Sequence, residues 1–96
     1  MISYSTRKGV LLTNICGEYL LVADREARRY CSYVRRVNDT AAFLWKRLEG
    51  CASETDLILA LIKEYGISEG DAQSAVKGYL EQLDRNGYLL TEERYD

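Results

Sequence analysis

Residues 37–50, VNDTAAFLWKRLEG, divide the chain into two parts. Before them, the runs VLLTNI (10–15) and EYLLVA (18–23) are rich in aliphatic and β-branched residues around a short glycine turn, which is the pattern of a β-hairpin. Within them, Asn38 or Asp39 is a suitable helix N-cap, and apolar side chains recur at helical spacing up to the final glycine. We therefore predict that strands precede this stretch and that helices begin in it.

A third strand and two further helices complete the predicted order. Residues 29–37, RYCSYVRRV, have aromatic and β-branched residues and no breaker, which predicts the strand. Trp45 is predicted to be buried, and Gly50 is expected to end the first helix in the left-handed conformation. Ser53 and Ser68 each precede an aspartate by three residues, a capping signature. The prediction is an α+β chain, β-β-β-α-α-α, with helices two and three spaced as in a helix-turn-helix.

Histidine is absent from the 96 residues, and its absence excludes whole classes of catalytic and metal sites. Without it there is no imidazole general base, no Ser-His or Cys-His nucleophile system, and no common transition-metal ligand. The length fits a single domain over residues 1–96, with a core at 8–90 and a frayed polar tail at 91–96. We expect no enzyme activity, no metal and no cofactor.

The three cysteines are odd in number and contain no C-x-x-C spacing. Reduced thiols in a cytoplasmic protein are therefore expected, with Cys31 and Cys51 as small core residues and Cys16 beside a turn. The opening residues, MISYSTRKG, lack the apolar core of a signal peptide. No apolar run approaches the ~20 residues that span a membrane, so no membrane partner is expected.

Charge is divided unevenly along the chain. Residues 1–48 hold 9 Lys and Arg against 4 Asp and Glu, whereas residues 49–96 hold 4 against 11, so the net charges are +5 and −7. The predicted third helix, residues 68–86, has 4 acidic and 2 basic residues, which is unfavourable beside DNA phosphates. A winged-helix transcriptional regulator is therefore kept only as the alternative function, and no nucleic-acid partner is expected.

The basic excess is concentrated in residues 25–36, where five arginines oppose Glu26. One interpretation is a solvated strand face whose charges also discourage edge-to-edge aggregation. The other is an exposed edge strand that accepts a peptide strand, with the arginines attracting acidic residues of that peptide. An edge strand also permits pairing with a second copy, so a monomer and a weak or domain-swapped dimer are both left open.

Two blocks of the sequence resemble the PqqD-like family, which is named for the small protein of pyrroloquinoline quinone biosynthesis. The first is the N-x-T-A-A-x-x-W block at residues 38–45, closed by Gly50. The second is the LxxxGYLL ending at residues 83–90. With the strand-rich segment before them, the resemblance covers roughly residues 8–90 in the order of the family.

The resemblance implies a winged helix-turn-helix-like fold, a three-stranded antiparallel sheet followed by three helices, and a function without catalysis. Members of this family are recognition elements in pathways that modify ribosomally made peptides, and they act as peptide chaperones. Such a domain captures the leader region of a precursor peptide by adding it as a strand. It then presents the precursor to a modifying enzyme, commonly a radical SAM protein.

Carried onto this chain, the resemblance assigns peptide-binding residues to two elements. The implied strand comprises Tyr30, Cys31, Ser32, Tyr33, Val34, Arg35 and Arg36. The implied groove wall on the third helix comprises Ala72, Ala75, Val76, Tyr79 and Leu83. Arg28 and Arg29, at the start of the strand, are expected to steer acidic residues of the leader.

Overall fold

The computed structural model describes residues 2–93, which form strands, then helices, then a returning strand. The strands are β1 (Ile2–Thr6), β2 (Val10–Ile15), β3 (Glu18–Ala23), β4 (Val34–Val37) and β5 (Leu89–Glu93). The α-helices are α1 (Asp39–Glu49), α2 (Glu54–Tyr65) and α3 (Glu69–Arg85), and a short 3₁₀ helix covers Ala27–Arg29. The predicted α+β class is confirmed.

The larger sheet is antiparallel and three-stranded, as the resemblance implies, with the strand order β2-β3-β4. The β2–β3 hairpin turns at Cys16 and Gly17, whose φ angles are 52° and 83°. In the register, Leu21 lies opposite Leu12 on one side and opposite Arg35 on the other. Because Leu21 is only 1% exposed, this row of side chains faces the interior of the protein.

The predicted third strand is shorter than its sequence suggests. Residues 29–37 were expected to be extended, but β4 contains only Val34–Val37. The Asp24 carboxylate accepts a hydrogen bond of 2.8 Å from the Ala27 amide, and this local bond starts the 3₁₀ turn. The Cys31 amide then donates to the Ala27 carbonyl at 3.1 Å, which satisfies the backbone locally instead of across a sheet. The part of the implied strand before Val34 is therefore loop.

A second, two-stranded sheet joins the two ends of the described chain and was not predicted. β1 pairs antiparallel with β5, from Ile2 opposite Glu93 to Thr6 opposite Leu89. The expectation of a core at 8–90 and a frayed tail at 91–96 is therefore wrong for residues 2–6 and 91–93. Residues 94–96 lie outside the described residues.

Polar side chains begin each α-helix as the sequence predicts. The Asn38 side chain accepts from the Ala41 amide at 2.8 Å, and Ser68 accepts from the Asp71 amide at 3.2 Å. Ser53 and Asp56 form a reciprocal capping box at the start of α2. The end of α1 differs from the prediction, because Gly50 has a φ of −89° and the left-handed residue is the next one, with a φ of 66°.

The core lies between the sheets and the helices, and its largest buried side chain is Trp45, which is 0% exposed, as predicted. Its ring packs edge to face on Tyr88, with 6.1 Å between the ring centroids. Two cysteines were predicted to be core residues, but Cys51 is exposed and Cys31 is only partly buried. No helix within residues 2–93 has the length and apolar character needed to cross a lipid bilayer.

Candidate functional site

The free edge of β4 is the first element of the candidate site. β4 pairs with β3 along one edge and, among the described residues, has no strand along the other. The Ala23 amide donates to the Tyr33 carbonyl at 2.8 Å, which fixes the hydrogen-bonding alternation of this antiparallel pair. By that alternation, the amides and carbonyls of Val34 and Arg36 point away from β3. They are the groups to which an added strand would bind.

A cleft of about 140 Å³ lies between β4 and α3 and is the second element of the site. We call it the β4–α3 cleft. Its lining residues are Leu21, Arg35, Arg36, Val37, Asn38, Ala41, Tyr79, Gln82, Leu83, Asn86 and Tyr88. Because Arg35 lies opposite the buried Leu21 in the register, its side chain is on the cleft side of the sheet. The open edge and the cleft are therefore adjacent.

Two further hollows extend the cleft in opposite directions. One is lined by small residues of α3, including Ala75 and Gly78, and shares Tyr79 with the cleft. The other is lined by Arg28, Arg29 and Arg85 and shares Asn86 with the cleft. The cleft thus has a neighbouring hollow on each side, and the one at the C-terminal end of α3 is rich in arginine.

The comparisons with known proteins agree with this geometry. The sequence model of the family described as Coenzyme PQQ synthesis protein D (PqqD) matches residues 18–89, which is most of the chain. The chain belongs to the PqqD family. A search of the curated proteins gives no significant match to this PqqD-family chain.

Two solved structures resemble the fold of this PqqD-family chain. One is described as lasso peptide synthetase B1 complexed with the leader peptide. It is 25% identical in sequence and has a TM-score of 0.71, and the match covers 91% of this chain and 96% of that chain. The other is TbiB1 in complex with the TbiA(beta) leader peptide; it is 16% identical, with a TM-score of 0.68, covering 96% of this chain and 99% of that chain. The second likeness concerns the fold alone.

The implied groove residues of this PqqD-family chain divide into two groups. Ala72 and Val76 are 0% exposed, so they belong to the core and do not offer a surface to a ligand. Tyr79 and Leu83 line the β4–α3 cleft, and Ala75 lines its extension along α3. The helical periodicity placed all five on one side of α3, but it did not separate the core positions from those beside the cleft.

Tyr79 is fixed in the wall of the cleft by a hydrogen bond to α1. Its hydroxyl donates to the Ala41 carbonyl at 3.0 Å, and burial raises the pKa of Tyr79 well above its usual value. A neutral hydroxyl is therefore maintained where α1 and α3 meet. The interaction holds the two helices at a fixed separation beside the open edge of β4.

Two tyrosine rings of the loop before β4 are stacked against arginines. The Arg28 guanidinium lies 3.7 Å from the centroid of the Tyr33 ring, and that of Arg7 lies 4.1 Å from the Tyr30 ring. Tyr30 and Tyr33 are 60% and 53% exposed, so both stacks are accessible at the surface. Arg28 and Arg29, which are expected to attract acidic residues of the leader, thus lie on the loop that precedes β4.

The sequence does not identify several of the residues that line the cleft. Asn38, Gln82, Asn86 and Tyr88 line the cleft, and none of them was assigned to a binding site. Gln82 follows Tyr79 by three positions, which is the helical spacing that places it on the same side of α3. Nothing in the sequence indicates that Tyr88 lines the cleft, because it lies beyond the helix, in the segment that turns back towards β1.

Within residues 2–93, no group of three or more His, Cys, Asp and Glu side chains is arranged to hold a metal ion. The lining residues of the cleft instead supply hydrogen-bond donors, apolar surface and positive charge. This combination is suited to recognition of a peptide, in which backbone pairing gives affinity and side-chain contacts give specificity.

Proposed function

We propose that this chain is a peptide-binding chaperone that captures the leader region of a ribosomally made precursor peptide by strand addition to β4. The observation that carries the proposal is the unpaired edge of β4 directly beside the β4–α3 cleft. An added strand would satisfy the outward-facing amides and carbonyls of Val34 and Arg36. Its alternate side chains would enter the cleft, which is the mode of recognition known as β-augmentation.

The comparisons support the same function. The solved structure that is 25% identical to this chain is complexed with a leader peptide. Its likeness extends over 91% of this chain, and the family model matches residues 18–89, which include β4 and α3. We therefore propose a leader peptide, and not an unrelated extended segment, as the ligand.

The charge distribution supports an acidic peptide more than a nucleic acid. The arginine-rich hollow beside the cleft contains Arg28, Arg29 and Arg85, whereas the segment 68–86 that includes α3 has 4 acidic and 2 basic residues. DNA in the position that a recognition helix would require meets a net negative surface. We therefore retain leader binding over the transcriptional-regulator alternative.

The role that we propose is presentation without catalysis. The chain has no histidine, and we propose that chemistry on the captured precursor belongs to a separate modifying enzyme, such as a radical SAM protein. A cytoplasmic location and a monomer, or a weak or domain-swapped dimer, remain predictions. Sedimentation velocity at several protein concentrations would distinguish these oligomeric states.

The proposed function can be tested with a displayed library of random 12-residue peptides. Peptides that bind the full chain are recovered, synthesised and titrated into ¹⁵N-labelled protein. We expect the largest amide shifts in β4 and along α3 from Tyr79 to Arg85, with little change in α2. Shifts that are confined to other surfaces, or a library that yields no binder, would contradict the proposal.

A titration with duplex DNA at low salt serves as the counter-experiment. Nonspecific DNA binding is strongest at low ionic strength, so a protein that reads DNA would bind under these conditions. We expect no binding above that of an acidic control protein. Salt-dependent DNA binding that is lost when α3 is altered would favour the transcriptional-regulator alternative.

A further inference from the structure

One of the residues that line the β4–α3 cleft carries a buried hydroxyl group. Tyr88 is 1% exposed, and its hydroxyl has no hydrogen-bond partner among the described residues. Burial raises the pKa of Tyr88, the Cys31 thiol adds to the rise, and Arg35 and Ser32 oppose it. The Ser32 side chain lies near the hydroxyl, but no hydrogen bond joins the two groups. A buried polar group left unpaired is unfavourable, so this donor calls for an acceptor.

Arg35 provides a positive charge at the same place. Its side chain is partly buried on the cleft side of β4, and it forms no ion pair with a carboxylate among the described side chains of residues 2–92. Its neighbour Arg36 projects from the opposite face and pairs with Glu18 at 3.3 Å. The two adjacent arginines therefore differ in a way that the sequence does not reveal: Arg36 has a carboxylate partner at the exposed surface, and Arg35 forms no ion pair within the described side chains.

The remaining polar groups of the cleft are compatible with an anionic guest. They include the amide side chains of Asn38, Gln82 and Asn86, and no Asp or Glu is among the lining residues. The volume of about 140 Å³ is close to the ~150 Å³ cavity that holds benzene, so the space admits one side chain of moderate size.

We propose that the β4–α3 cleft selects an Asp or Glu side chain of the bound leader peptide, whose carboxylate is held by the Arg35 guanidinium and the Tyr88 hydroxyl. The inference rests on the proposed leader binding and adds the chemical class of the side chain that is recognised. An apolar side chain in this place would leave the Tyr88 hydroxyl unpaired and remove water from Arg35. A carboxylate satisfies both groups with charge-assisted hydrogen bonds.

The first test compares peptides on the unaltered protein. Binders from the 12-residue library are aligned, and the strongest acidic binder is remade with its enriched Asp or Glu changed to Asn or Gln. We expect the acidic side chain to be enriched at one fixed position, and the amide peptide to bind at least tenfold more weakly. Enrichment of apolar residues at the position that enters the cleft would overturn the inference.

The second test removes each proposed contact from the protein. Tyr88→Phe deletes only an unpaired hydroxyl, so we expect an unchanged or raised melting temperature and a loss of about tenfold in affinity for the acidic peptide. Arg35→Gln should cause a larger loss. Neither variant should alter binding of the amide peptide by more than about twofold, because that peptide lacks the charge.

Two matched controls carry the same chemical changes away from the cleft. Tyr4→Phe removes a hydroxyl on β1, and Arg47→Gln removes a charge on α1; we expect both to bind the acidic peptide as the unaltered protein does. If Arg35→Gln does not fold, Tyr88→Phe decides the question. If Tyr88→Phe lowers the affinity for the acidic and the amide peptide equally, the inference is refuted and the proposed function is not affected. If the peptides that bind do not occupy the cleft, both the inference and the proposed function are refuted.

Discussion

Two short strands of this molecule, β1 and β4, differ in how the backbone amides and carbonyls along their two edges are hydrogen-bonded. β1 is paired on both sides: with β5 along one edge, and with Ala52 on the other through Tyr4, whose amide donates at 2.7 Å and whose carbonyl accepts at 2.9 Å. β4 is paired with β3 on one side only, among the described residues. Thus β1 forms backbone hydrogen bonds along both edges, and β4 has one edge to which a further strand can be added.

The difference shows which part of the molecule maintains the fold and which part is free to bind. Unpaired strand edges are a liability, so a protein that leaves one open beside a cleft does so where a partner can cover it. We therefore expect substitutions around β1 to reduce the stability of the fold. Substitutions at the free edge of β4 will reduce binding and leave the fold in place.

The largest effect is expected where the chain turns towards β5. Gly87 has a φ of 82°, and an added Cβ atom would collide with the Tyr30 carbonyl oxygen. Gly87→Ala should therefore lower the free energy of unfolding by several kcal/mol, about 4 or more, measured by urea denaturation. Gly66→Ala is the matched control, because that glycine also has a positive φ of 66° but has open space around it; we expect a loss of ~1 kcal/mol. Equal losses would mean that the contact with Tyr30 has no role.

The second effect is expected on the paired side of β1. Ala52→Pro removes the amide that donates to Tyr4, and it follows Cys51, whose φ of 66° is unsuited to a residue before proline. We expect a loss of about 3 kcal/mol in unfolding free energy. Ala52→Ser, which keeps the amide, is the control and should lose less than half as much. A fully stable proline variant would show that the second edge of β1 does not need its partner.

The same type of substitution at β4 should have a different result. Arg36→Pro removes an amide that points away from β3, so the β3–β4 ladder loses no hydrogen bond, and proline is tolerated on edge strands. We expect an affinity loss of at least tenfold, about 1.4 kcal/mol, for a library-selected peptide measured by calorimetry. Arg36→Ala keeps the amide and should lose less affinity. Equal losses in the two variants would assign the effect to the charge and not to strand addition.

The smallest effect concerns the wall of the cleft. Tyr79→Phe removes the hydrogen bond to Ala41 and should cost about 1 kcal/mol of unfolding free energy near neutral pH. Burial raises the pKa of Tyr79, so its contribution to stability is complete below the usual value of ~10 and decreases as pH rises above it. The difference between the two proteins should shrink by up to ~1.4 kcal/mol per pH unit above that value. A difference that is constant between neutral and alkaline pH would contradict this assignment.

Local chemistry made the helices and the hairpin predictable. Asn38, Ser53 and Ser68 each accept a hydrogen bond from an amide three residues later, and such contacts are present in the sequence itself. The β2–β3 pairing needs only a two-residue turn. Trp45 was predicted to be buried because its position on the helical stripe is also a local property.

The errors occurred where the outcome depends on residues far away or on competition between two local structures. Residues 29–33 have a strand-like composition, but Asp24 and Ala27 divert the backbone into a 3₁₀ turn. Cys51 was expected in the core as a small apolar residue, but it takes up the left-handed position after α1 and is exposed. Amino-acid composition indicates the secondary structure and the burial that a residue prefers. It does not indicate which of several competing hydrogen bonds forms.

By itself, the sequence determined the α+β class, the caps of the three helices, the β2–β3 hairpin and the resemblance to the PqqD-like family. These features depend on spacing over fewer than about twenty residues or on blocks that are read in order. The tertiary structure alone decided that β1 closes on β5, that Ala72 and Val76 are core, and that Arg35 and Tyr88 lie together in the cleft. The physical reason is that Arg35 and Tyr88 are 53 positions apart in the chain, and only the tertiary fold brings residues so distant in sequence into one site.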